Sequence, residues 1–391
     1  MTENIVRIPS GALLVVGDLH VEAKNKAPLG QLLAELHTVI SELTVSVSAV
    51  VLLGDVLCHH ELVHSRDMLL AVEFIRSLVS VAPMVFVIVG NHDQATPEVY
   101  DHPRSRLHGD GSGGGGSWLS VLVGQPGITV VDRGIHVQTE CGTRILLSPY
   151  VPKGFLKTEL ESAVADIAQA DVVFAHQEMH GARMGPITSS DGDTWPEEYP
   201  LLISGHVHDN QWVSGNMFYP GVPYSLSFRK DARTSVALVH GVRGSASGYP
   251  GGGGWKKVSS PRGKHLVWER AIRTVEKRIA MHSTMVAGEA EETARVVMLR
   301  AVEGNAMRLI VHGAKEEFVR FQATEAYKTL VQRGVRVQHK HTPRVKIAKV
   351  QGKPDASLVD ENFFLGYLQV AVDDIADARV SKVHARIMGN L

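Results

Sequence analysis

The sequence is short of cysteine: Cys58 and Cys141 are the two in 391 residues. That excludes a disulfide scaffold and a Cys-rich zinc module. It is also short of net charge, with 40 Lys+Arg against 41 Asp+Glu and a formal balance of −1. Such a chain is no cationic coat for nucleic acid, although a local basic groove is compatible with it. Long apolar runs are missing, and none reaches the roughly 18 residues of a membrane span. The opening MTENIVRIPS lacks the basic stretch and apolar core of a secretory signal. The expectation is a soluble, cytoplasmic protein. Apolar residues at 44% and charged residues at 21% describe a globular chain, and the length suggests two or three domains. What the sequence has in excess is histidine, at 20. A metal site here would draw on His, Asp and Asn.

Five short apolar runs end in polar clusters: ALLVVGDLH (12–20), AVVLLGDVL (49–57), MVFVIVGNHD (84–93), DVVFAHQ (171–177) and PLLISGHVH (200–208). Each reads as a buried strand rich in Val, Ile and Leu. LGQLLAELHTVISEL and RDMLLAVEFIRSLVS, between the first three, have helical spacing. Strand–helix–strand alternation predicts parallel pairing and an α/β fold. Polar residues at the C-terminal ends of adjacent parallel strands then gather along one sheet edge, where open α/β sheets place ligands.

Taken singly, each cluster is ordinary. GDLH can be a helix cap, GNHD a turn, and His176 a satisfied core histidine. In GHVH, His206 and His208 at i and i+2 share a face in extended chain. In order, the five clusters supply two Asp, one Asn and four His as candidate ligands. That mixture of hard oxygens and imidazoles suits Mn²⁺, Fe²⁺ or Zn²⁺. Two ions sharing a carboxylate can clamp both oxygens of a phosphoryl displacement.

The series GDLH, GDVL, GNHD, His176 and GHVH resembles the calcineurin-like metallophosphoesterases over about residues 1–235. The resemblance implies a sandwich of mainly parallel and mixed sheets flanked by helices. It also implies two divalent ions, Mn²⁺ first among them. Asp18, His20, Asp55 and His208 would hold one ion. Asp55, Asn91, His176 and His206 would hold the other, with Asp55 shared. His92 would be the acid that protonates the leaving oxygen. GDVLCHH and VGNHD lack the arginines of the Ser/Thr protein phosphatases. YPGVPYSLSF (219–228) instead looks like the segment that follows G-H-x-H in SbcD-type DNA-repair nucleases, and GDVLCHHELVH looks like their virus and phage versions. Cys58 stands where those nucleases usually have His, leaving His59 or His60 as substitutes.

The implied organisation is a phosphoesterase (nuclease) domain at 1–240, a Gly-rich flexible connection at 241–265, a small α+β DNA-capping domain at 266–345 and a tail at 346–391. A second Gly run, GSGGGGS at 111–117, reads as a linker. The capping domain would be built from ARVVMLRAV, a turn at EGNA, MRLIVHG, the helical EEFVRFQATEAYKTLVQRG and VRVQHK. In the tail, Phe363, Phe364, Tyr367 and Leu368 share one helical stripe, which packs on its own domain or docks on a partner. The resemblance names DNA and an SMC-like coiled-coil ATPase subunit (SbcC-type) as partners, with a homodimer as a further expectation and the host cytoplasm as the location for a viral or phage protein.

Arg183, Arg229 and Lys230 are candidate DNA contacts, with Arg233, Lys256, Lys257, Arg262 and Lys264 nearby in sequence. The alternative for all of them is scattered solvated charge. Two further function classes remain. His60-Glu61-Leu62-Val63-His64 matches the zincin pattern, which requires a helix there and a third ligand. A non-catalytic scaffold is the other, although no ligand of the series is missing.

Overall fold

A computed structural model describes residues 5–60, 62–98, 116–226, 233–240, 250–251, 254–259, 266–272, 278–284, 293–298 and 306–341. Two seven-stranded sheets carry the motif-bearing part of the chain. In one the strand order is Ile5–Ile8, Ile135–Thr139, Arg144–Leu147, Val172–His176, Leu201–Gly205, Met217–Tyr219, Gln211–Ser214. In the other it is Trp255–Ser259, Leu266–Ala271, Ser235–Val239, Ala12–Val16, Val47–Leu52, Met84–Ile88, Ile128–Val131.

The layers follow from the alternation of side chains along each strand. Leu13, Val15, Val51, Phe86 and Ile88 meet Val172, Phe174, Leu201 and Ile203 in one core between the sheets. Leu14, Val16, Val50 and Leu52 face the other way. They pack on Leu29, Leu32 and Leu36 of helix Lys26–Ser41 and on Ala71, Phe74 and Ile75 of helix Ser65–Ser77. On the far side, Val173, Ala175 and Leu202 pack on Leu156 and Leu160 of helix Leu156–Ala163. The result is a helix–sheet–sheet–helix sandwich. All five motif-bearing strands are buried almost throughout, as strands covered on both faces must be. Ala12–Val16, Val47–Leu52 and Met84–Ile88 run parallel, and so do Val172–His176 and Leu201–Gly205. Five polar clusters therefore emerge at one end of the sandwich.

Two strands fall where the sequence reading put a connection and the start of a second domain. Trp255–Ser259 and Leu266–Ala271 are antiparallel neighbours, and Leu266–Ala271 pairs with Ser235–Val239. Both extend the second seven-stranded sheet, because Trp255 and Trp268 bury against its helix-covered core and Val267 against the core between the sheets. A boundary at 266 cuts through that sheet. Beyond it, Arg278–Thr284, Ala306–Gly313 and Arg336–His341 form a separate parallel sheet. Residues 293–298 are helical, and two helices, Lys315–Gln322 and Glu325–Gln332, connect the second and third strands. They are two rather than one because the Thr324 hydroxyl accepts from Tyr327 N and starts a new helix. Ala294, Val297, Leu309, Phe321 and Leu330 belong to their core.

The aromatic stripe of the tail lies outside the described residues, as does most of the 111–117 run. No helix among the described residues is long and apolar enough to cross a membrane.

Candidate metal centre

The strand ends bring all eight expected side chains together. Asp18 and His20 follow Ala12–Val16, Asp55 follows Val47–Leu52, and Asn91 and His92 follow Met84–Ile88. From the other sheet come His176, the last residue of its strand, and His206 and His208 after Leu201–Gly205. Potential ligand atoms of Asp18, His20 and His208 lie within 4.8 Å of one another, as do those of Asp55, His176 and His206. His20, Asp55 and His92 form a third such group, so Asp55 belongs to two.

The distances describe a set of acceptors aimed at shared space. His20 Nε2 is 2.9 Å from His208 Nε2 and 3.6 Å from Asp55 Oδ2. His208 Nε2 is 3.6 Å from Asp18 Oδ2. His176 Nδ1–H donates to the Leu53 carbonyl at 2.8 Å, which leaves Nε2 facing inward. That Nε2 is 3.0 Å from Asn91 Oδ1 and 3.3 Å from Asp55 Oδ1. His206 Nδ1 is 2.9 Å from the same Asn91 oxygen. A neutral His176 would present a lone pair to two oxygens. Either a second proton or a cation must stand between them.

The titration behaviour agrees. Burial pushes Asp18 up to about 8 against the opposing pull of His176. Burial alone would lower His176, but the facing Asp55 carboxylate outweighs it and carries the imidazole up to about 9. Burial would raise Asp55, yet His176 outweighs that and holds it far below the ordinary carboxylate range. Burial drives His20 down to about 3 and, with His176 opposite, brings His206 to about 4. Without cations the cluster thus neutralises its carboxylates with borrowed protons. Buried, deprotonated oxygens and unprotonated imidazoles are what a divalent ion needs. The donor set, with no sulfur, fits a hard or borderline ion, and the buried His20 Nδ1 has no hydrogen-bond partner to compete for its ring.

The backbone is shaped around this cluster. His20, Asp55 and His206 have φ of 44°, 48° and 80°, and they are the three non-glycine residues with left-handed φ among the described residues. Each costs about 1–3 kcal/mol of local strain. All three are candidate ligands, so the strain sits where side chains must turn inward just past a strand end. Gly90 is required for a different reason. A Cβ there would run into the amide nitrogen and Oδ1 of Asp55.

His92 stands at the rim. Its Nδ1–H donates to the Cys58 carbonyl at 2.7 Å, and Nε2 is 3.8 Å from Asp55 Oδ2. Burial lowers its pKa. Sequence reasoning gave Asp93 no role, although it is the last letter of GNHD. Its carboxylate, fully buried, accepts from the amides of Val56, Leu57 and Gly90 and from Trp118 Nε1. It ties the second and third clusters together. His60, one of the two substitutes for the His that Cys58 replaces, stacks its ring on His92 with centroids 3.7 Å apart. Nothing local in the sequence signals that contact.

The H-E-x-x-H reading fails here. His64 is extended, with φ −77° and ψ 127°, and helix Ser65–Ser77 begins after it. His60 lies on His92 and His64 lies against His59, so the two imidazoles are not one helical turn apart. Glu61 lies outside the described residues. Arg183 is exposed on a two-residue ribbon, while Arg229 and Lys230 lie outside the described residues. Arg233 is bound in an ion pair to buried Glu269 at 2.8 Å. Residues 219–226 of YPGVPYSLSF lie behind the first cluster: the Tyr224 hydroxyl donates to the Leu19 carbonyl, and the Gly221 carbonyl fills the space beside Gly17.

Comparison with known proteins agrees with this geometry. The chain is 30% identical over 373 residues to a protein of Invertebrate iridescent virus 3 named as phosphoesterase 078R, covering 94% of this chain and 93% of that one. It is 30% identical over 228 residues to one of Invertebrate iridescent virus 6 named as phosphoesterase 244L, covering 58% of this chain and 75% of that one. Residues 12–210 match the calcineurin-like phosphoesterase family. The chain belongs to that family, and its chemistry is phosphoester hydrolysis supported by divalent metal.

Proposed function

We propose that the protein is a two-metal DNA phosphodiesterase, an exonuclease and endonuclease of recombination or break repair that works as the nuclease subunit of an SMC-like ATPase. The observation that carries the hydrolytic part is the place of Asp55, which groups with His176 and His206 of the other sheet and also lies 3.6 Å from Nε2 of His20, a member of the Asp18–His20–His208 group. In this reading Asp18, His20, Asp55 and His208 hold one ion, and Asp55, Asn91, His176 and His206 hold the other, with Mn²⁺ the favoured metal. The ions supply charge that activates water and neutralises the phosphoryl oxygens. The remaining work belongs to the chain. Leu53 fixes the His176 tautomer through its carbonyl. Cys58 does the same for His92, so Nε2 is the atom that must take up a second proton, as the imidazolium, before it passes that proton to the departing 3′ oxygen. His60 limits the tilt of the His92 ring from the outer side.

DNA as the substrate rests on the SbcD-like segment after GHVH and on the second parallel sheet beyond residue 272. A metal-dependent assay comparing linear duplex DNA, single-stranded DNA and bis-p-nitrophenyl phosphate tests it. Cleavage of the small diester with neither DNA touched would refute the nuclease reading and leave a small-phosphodiester or phosphoprotein hydrolase.

A further inference from the structure

The chain pairing that brings Asp18 beside Asp55 continues past them. His20 N donates to the Asp55 carbonyl at 2.9 Å, Val21 N donates to the Val56 carbonyl at 2.7 Å, and Val21 bridges Leu57. The next residue on each side is Glu22 or Cys58, and His59 follows. A Glu22 carboxylate oxygen, Cys58 Sγ and a His59 ring nitrogen lie within 4.8 Å of one another. Among the described residues it is the one such cluster that shares no member with the metal centre.

Its surroundings hold it in place. Glu22 and His59 line a surface cleft of about 470 Å³ together with His64, Arg66 and Asp67. Asp67 Oδ1 accepts from Ala23 N at 2.6 Å, fixing the backbone beside Glu22. The Cys58 carbonyl is fixed by His92, and the His64 ring meets the His59 ring edge-on at 5.9 Å. Lys24 Nζ already rests 2.6 Å from Glu22 Oε2, so the corner attracts a cation, and that side chain is 59% exposed and free to leave.

We propose that Glu22, Cys58 and His59 form a third metal site, for a zinc-class ion, beside the catalytic pair. Thiolate, imidazole and carboxylate are zinc donors, and three protein ligands with an open position are a common zinc arrangement. Sulfur makes the site softer than the centre, whose donors are oxygen and nitrogen alone. Ligands about 2.0–2.3 Å from a tetrahedral ion sit about 3.3–3.8 Å apart, so small side-chain rotations close the remaining distance. Cys58 is half-buried, and the burial that raises its pKa keeps it a thiol in the metal-free chain. An arriving ion must displace that proton.

The test uses the full chain with Cys141→Ser, leaving Cys58 as the sole thiol, stripped of metal and titrated with Co²⁺. A thiolate-to-cobalt charge-transfer band should appear in the near ultraviolet. Adding Cys58→Ser should remove it and lower bound metal by one equivalent in elemental analysis. Glu22→Gln and His59→Ala should each weaken the ion responsible for the band at least about tenfold. Absence of the band in the Cys141→Ser chain would overturn the proposal. So would a band whose affinity is unchanged by both Glu22→Gln and His59→Ala, which would mean adventitious binding to a thiol. The centre contains no sulfur, so failure of the nuclease reading would leave this band untouched.

Discussion

The amide of His92 donates to Asp55 Oδ1 at 2.9 Å. The carboxylate proposed to serve both ions therefore also fixes the turn that carries the proposed acid, and replacing either residue should separate the two roles. Asp55→Ala is expected to lose both ions by elemental analysis and, with them, hydrolysis of every substrate.

His92→Asn should retain both ions. Its hydrolysis should fall by about 10²–10⁴-fold, the usual contribution of a general acid. Metal content and rate measured on the same preparation check this. A wild-type rate would remove His92 from the chemistry.

Metal uptake should be pH-dependent in a stated direction. In the cation-free chain Asp18, at about 8, and His176, at about 9, hold protons at neutral pH. Both protons must leave when ions bind, so binding at pH 7 should release protons and affinity should rise with pH. The rise should approach tenfold per unit for each proton displaced and level off once pH exceeds those values. Calorimetric titration of Mn²⁺ in buffers of different ionisation enthalpy counts the protons directly.

Gly90→Ala should fold yet bind metal poorly, because its methyl group displaces Asp55. Asp93→Ala should instead unfold early. It strands the amides of Val56, Leu57 and Gly90 and the Trp118 indole in a buried place, at a cost of about 2–4 kcal/mol. Thermal melting with metal analysis tells these two failures apart.

Two truncations should behave differently. Ending the chain after Ile272 keeps both outer strands of the phosphoesterase sheet and should preserve hydrolysis of a small diester, while duplex DNA cleavage falls. Ending it before Leu266 removes the strand that joins Ser235–Val239 to Trp255–Ser259 and should give insoluble protein. Equal solubility of the two products would contradict the sheet assignment.

Much of this was legible in the sequence because buried parallel strands are continuous apolar runs, and each of the five ends in a polar cluster. His176 was legible only through resemblance, since a lone histidine after an apolar run carries no signal of its own. Trp255–Ser259 and Leu266–Ala271 were missed because WKKVS and LVWERA carry charges and lie among glycines and prolines. Their membership in the sheet is set by pairing with residues 235–239, which no local pattern encodes. The braces by Asp93 and His60 were missed for the same reason: both depend on the path of loops between distant strands.

Each proposed ion takes ligands from both sheets: Asp18 and His20 with His208, and Asp55 and Asn91 with His176 and His206. The ions are then rivets across the seam of the sandwich. Since they bind the folded chain and not the unfolded one, their binding energy becomes mechanical strength in that seam, growing with free metal concentration. A chelator would do more than silence the enzyme. It would let the two sheets part first at the edge that holds the chemistry, exposing the strand ends to proteases and to amide exchange while the far edge remains closed.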